Sequence, residues 1–96
     1  MSEFLKPKIA WVILNMPAVL PPFRAWRIVI YPNDHRPPHV HVLGVEEHAR
    51  FELLCDLARV KLYSQKGFTL QQLRQLAAYL TRHIGQLCQQ WENIHG

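Results

Sequence analysis

The chain has 96 residues, 49% of them apolar and 19% charged, and a formal net charge of +4. That excludes a multidomain protein and a disordered tail, and predicts one small packed domain, 1–96, with no room for a third layer. The basic balance favours RNA, DNA or an acidic protein as partner, although no cluster of four Lys/Arg occurs.

Residues 9–20 form the most apolar run, but Asn15 and Pro17 interrupt it and no small-residue cleavage pattern follows. It is too short to span a bilayer, so the expectation is a cytoplasmic protein with no membrane partner. Cys55 and Cys88 have no metal-ligand spacing and are expected as buried or idle thiols in a reducing compartment.

In chain order, residues 8–14 are β-branched and aromatic enough for a first strand. Pro17, Pro21 and Pro22 then predict a stiff, irregular connection. Arg24–Tyr31 is the second strand; alternation puts Trp26, Ile28 and Ile30 on one face and Arg27, Val29 and Tyr31 on the other. Pro32-Asn33-Asp34 marks a turn. His39–Leu43 is a third strand, Gly44 with Glu46-Glu47 a hairpin loop, and His48–Leu54 a fourth strand. Ala58–Tyr63 is a candidate fifth, with Val60 and Leu62 directed inward.

The helix signal is the clearest. Thr69 and Gln72 have the spacing of a capping box, and Phe68 and Leu73 that of a hydrophobic staple. Leu73, Leu76, Leu80, Ile84, Leu87 and Trp91 then recur at three- and four-residue steps. This predicts one helix roughly 35 Å long. Gly85 is a point where it can relax, and an overhanging end is a candidate homodimer contact. The predicted fold class is α+β: a four- or five-stranded, mainly antiparallel sheet with one long C-terminal helix packed on one face. Trp11, Trp26 and Trp91 read as core aromatics, His83 and His95 as solvent positions.

The chemistry concentrates in Pro37-Pro38-His39-Val40-His41-Val42. On a strand His39 and His41 share one face, expected to point to water, while Val40 and Val42 fill the interior. Arg27, His48, Arg50 and Lys61 have the parity to join the two rings, and Asp34 and His35 lie in the preceding turn. Three readings follow. The first is a divalent metal held by His39 and His41, with His35, His48 or Glu46 as third ligand; the missing cysteine pair argues against structural zinc. The second is RNA binding or cleavage. His35, His39, His41 and Arg50 are its catalytic candidates, with Asn33, Asp34, Arg27, His48 and Lys61 in binding roles. The third is an ordinary solvent face. The spacing of His39, His41 and Glu46 matches a cupin metal strand, but the second cupin motif is missing. Leu43 stands where a histidine-triad hydrolase has its third histidine. The pattern leaves open whether the chain is an enzyme.

Tyr31-Pro-Asn-Asp-His-Arg-Pro-Pro-His-Val-His-Val42, with Ala49-Arg50-Phe51, Gly67-Phe68-Thr69 and Trp91, resembles a family of short bacterial proteins described only as a domain of unknown function. The resemblance covers about residues 24–92 and its shared strand reads Asn-Asp/Glu-His-x-Pro-Pro-His-x-His. Carried onto this chain, the marked positions are Asn33, Asp34, His35, Pro37, Pro38, His39 and His41. The resemblance implies a two-protein, toxin–antitoxin-like module, with a small cognate protein as partner and RNA as a candidate target.

Overall fold

The structure, a computed structural model, describes residues 18–96. The strand expected over residues 8–14, with Trp11, lies outside them. Five strands, β1 (Ala18–Phe23), β2 (Trp26–Val29), β3 (His39–Leu43), β4 (His48–Leu54) and β5 (Arg59–Lys66), form one antiparallel sheet in chain order. A 3-10 turn, Cys55–Leu57, joins β4 to β5, and two helices follow, α1 (Leu70–Arg82) and α2 (Ile84–His95). This is the α+β fold expected, with five strands.

Pro21 and Pro22 sit inside β1, where a stiff irregular connection was expected. Among the described residues β1 is an edge, which spares one proline whose N–H turns outward, and its neighbour falls where the pairing with β2 is irregular. Its pairing with β2 slips between Ala18 and Leu20 and again between Leu20 and Phe23. At the opposite edge β5 also carries a register irregularity, beside Arg50 and Phe51, and Leu62 stays 40% exposed rather than turning inward.

Alternation decides the interior. Ile28, Val40, Val42, Phe51, Leu76, Leu80, Leu87 and Trp91 are all buried in one cluster between the sheet and the helices. Each fully buried aliphatic side chain contributes about 1.5–3 kcal/mol. The capping box forms as its spacing predicts: the Gln72 amide donates to Thr69 Oγ1 at 3.1 Å, and the Thr69 amide donates to Gln72 Oε1 at 2.9 Å. Phe68 and Leu73 are buried beside it.

The expected single helix is two. His83 leaves the helical region with φ −111°, and its amide donates to the Leu80 carbonyl, at 3.1 Å, and to the Thr81 carbonyl. Just before it the Thr81 hydroxyl donates to the Ala77 carbonyl at 2.7 Å, a back-bond that bends helices. The break has a packing consequence. α1 lies along β5, while α2 packs against β1, β4 and the 3-10 turn, so both halves stay on the sheet where a single rod would overrun it.

Cys55 and Cys88 are joined as a disulfide, which corrects the reading of idle thiols. The bond ties the 3-10 turn to α2. No helix among the described residues is long and apolar enough to cross a membrane.

Candidate metal centre

The loop from β2 to β3 aims a carboxylate at two imidazoles. The Asp34 amide donates to the Tyr31 carbonyl at 3.1 Å, and the Tyr31 amide donates back to Asp34 Oδ2 at 3.3 Å. This local closure, typical of Asp in a turn, swings the side chain towards β3. The Arg36–Pro37 peptide is cis. The Leu53 amide pins the loop to β4 by donating to the Pro38 carbonyl at 2.9 Å. His39 and His41 then follow on one face of β3, their ring centroids 5.1 Å apart.

Each ring is held by the nitrogen that faces away from Asp34. His39 Nδ1 donates to the Pro37 carbonyl at 2.8 Å, which leaves Nε2 with a lone pair. His41 Nδ1 shares a proton with His48 Nε2 across 3.0 Å. With His41 as donor, its Nε2 also carries a lone pair. The two Nε2 atoms lie 3.1 and 3.2 Å from the same Asp34 Oδ2. Both nitrogens are buried and fall outside hydrogen-bond geometry towards Asp34, which pairs with either ring only when that ring is protonated. Lone pairs facing a carboxylate oxygen at that range repel unless a cation sits between them.

The donor set fits a metal ion. Asp34, His39 and His41 each offer one ligand atom, all within 4.8 Å of one another. A cation about 2.0–2.2 Å from each donor holds neighbouring donors roughly 3.0–3.5 Å apart. Two imidazoles and one carboxylate suit first-row transition ions and zinc rather than calcium or magnesium, which favour all-oxygen shells. The Pro37 carbonyl and His48 are the outer partners that fix ring orientation and tautomer in such centres.

Burial departs from expectation. His39 does not point to water: it is 2% exposed, with the Trp91 ring of α2 centred 5.2 Å from its own. His95, expected in solvent, stacks on Trp91 at 3.7 Å. His41 and Asp34 keep a little exposure, 13% and 19%, so the cluster touches solvent on one side. Burial, followed by the neighbouring His39 and His48, lowers the His41 pKa against the opposing pull of Asp34. A ring that resists protonation is a better ligand at neutral pH. Tyr31, whose ring centre is 4.7 Å from that of His41, has its pKa raised by burial and by Asp34.

The sequence candidates divide accordingly. His39, His41 and Asp34 converge, and Asp34 takes the third-ligand place for which His35, His48 and Glu46 were considered. His48 serves behind His41 instead. His35, Asn33 and Glu46 are exposed and outside the cluster. Arg50 is paired across from His41 in the sheet, with its guanidinium 4.4 Å over the Tyr63 ring. Arg27 is half-buried opposite Leu43, and Lys61 is exposed opposite Glu52. Tyr31, Trp91 and the Pro37 carbonyl had no place in the sequence reading of the site. Only Tyr31 had a usable signal, since its parity puts it on the His41 face. A cleft of ≈ 480 Å³ bounded by Arg36, Pro38, Leu53, Leu57 and Glu92 opens beside the disulfide and shares no residue with the cluster.

No curated protein and no solved structure matches the chain. Over residues 25–92, which take in Asp34, His39, His41, His48 and Trp91, the chain fits the family described as domain of unknown function DUF4160, and it belongs to that family.

Proposed function

We propose that the chain is a divalent transition-metal-binding domain whose centre is Asp34, His39 and His41. One observation carries the proposal: two buried imidazole nitrogens, each without a hydrogen-bond partner among the described residues, are aimed at a single carboxylate oxygen. Three protein ligands with a solvent-touching side leave a coordination position for water or substrate, the pattern of catalytic rather than structural zinc sites. Two imidazoles and a carboxylate with open positions equally describe non-haem iron centres. The toxin–antitoxin-like module implied by the sequence resemblance is the cellular setting we attach to this centre. Copurification of the untagged chain with the product of its neighbouring gene tests that setting.

Metal content tests the centre itself. Untagged protein, loaded with zinc, iron(II) or cobalt(II) and desalted, is expected to retain about one equivalent of at least one ion. Asp34→Asn and His41→Gln, checked for folding by circular dichroism, are expected to lose it. Equal metal content in wild type and both variants would overturn the assignment.

A further inference from the structure

Beyond the two imidazoles, one more polar atom on the same sheet face is orphaned. Arg50 Nε is buried and has no acceptor among the described residues. Arg50 is the direct cross-strand partner of His41. Such pairs have Cβ atoms about 4.5–5.5 Å apart. The guanidinium lies 4.4 Å over the Tyr63 ring, and its charge lacks a carboxylate partner among the described residues. Register places Arg27, His48, Lys61 and Lys66 on this face too. Its acids are Asp34 in the cluster and Glu52, which stands between Lys61 on one neighbouring strand and His39 on the other.

We infer that the metal centre receives a phosphoryl oxyanion, one oxygen completing the metal's coordination and another accepting from Arg50. The inference rests on the metal reading above and adds the ligand class. A guanidinium presents a rigid fork of donors matched to phosphate oxygens, and a buried N–H left unpaired is unfavourable until an acceptor arrives. A phosphate group therefore answers two defects at once: the open side of the metal and the unpartnered Arg50 Nε. The surrounding cations favour a phosphate, which carries more charge than a carboxylate.

Cobalt(II)-loaded protein provides the test, because its visible absorption reports the metal's coordination. Inorganic phosphate, acetate and a ten-nucleotide single-stranded RNA are titrated separately. Phosphate is expected to change the spectrum saturably and more tightly than acetate. Arg50→Gln is expected to weaken phosphate about tenfold or more while cobalt affinity stays unchanged. Arg27→Gln, farther along β2, has a smaller effect. Response to phosphate alone identifies a small phosphorylated ligand; competition between RNA and phosphate identifies the nucleic-acid backbone. Both outcomes support an oxyanion site. Cobalt uptake with no phosphate response, acetate binding as tight as phosphate, or an Arg50→Gln variant that binds phosphate normally would each overturn this inference and leave the metal reading standing. No cobalt uptake would overturn both.

Discussion

On the interior face of β3, Val40 and Val42 are fully buried, and all they need from their surroundings is apolar contact from Phe51 and the helices. On the opposite face of the same strand His39 is almost as dry, at 2% exposure, and His41 is 13% exposed. There, however, His39 Nε2, His41 Nε2 and Arg50 Nε are buried without hydrogen-bond partners among the described residues. On the packed side the strand residues need only apolar contact, and the unpartnered atoms there, Trp91 Nε1, Gln75 Oε1 and His95 Nε2, sit on the helices; the other face gathers three such atoms on two neighbouring strands. Unpaired buried polar atoms cost about 1–3 kcal/mol each, so a small domain that keeps several together concentrates its instability where a ligand can relieve it.

Substitutions on the two faces should therefore fail in opposite ways. Phe51→Ala on the packed face is expected to destabilise by about 3–5 kcal/mol in urea unfolding, with or without metal. Opening the disulfide, by reduction or as Cys55→Ser/Cys88→Ser, should cost about 3–4 kcal/mol, given the sequence separation of 33 between the cysteines. Since α2 carries both Cys88 and the Trp91 that covers His39, the same change should also loosen metal binding. His48→Leu should leave the fold intact and weaken metal about 10–100-fold, because His41 loses the group that orients it. Smallest in stability is His39→Leu. Metal binding should vanish, yet the metal-free protein should change by less than about 1 kcal/mol, since an unpartnered buried nitrogen goes with the lost hydrogen bond. A loss as large as that of Phe51→Ala would mean that both faces are held by packing alone.

Acidification separates the faces without mutation. The folded His41 pKa lies below its ordinary value, so as pH falls the unfolded chain takes up the proton first. The contribution of His41 to the stability of the metal-free protein is complete above about pH 6.5. It declines as pH falls through the lowered folded value and levels off below it. Urea midpoints across that window should show the decline in wild type and a smaller one in His41→Leu.

Much of this was legible before any coordinates. The Thr69/Gln72 box and Phe68/Leu73 staple mark the start of α1 correctly, because every partner lies within a few residues. Parity sorted Val40 and Val42 from His39 and His41, and put His48 and Arg50 on the histidine face. Where the reading went astray, a local rule was extended past its reach. Pro21 and Pro22 argue against a central strand, and β1 is an edge among the described residues. An apolar stripe continues through His83 although the backbone does not, because the break is made by the Thr81 back-bond and the demand for two packing directions.

The amino-acid order alone determined which side chains share a face, since strand and helix periods are short-range and steric. Tertiary structure alone decided that Asp34 closes the cluster, that Trp91 covers His39, and that Cys55 meets Cys88. Those contacts depend on where a turn comes to rest against a strand, or on where the end of a helix lands on the sheet many residues away. No repeat along the chain encodes either distance.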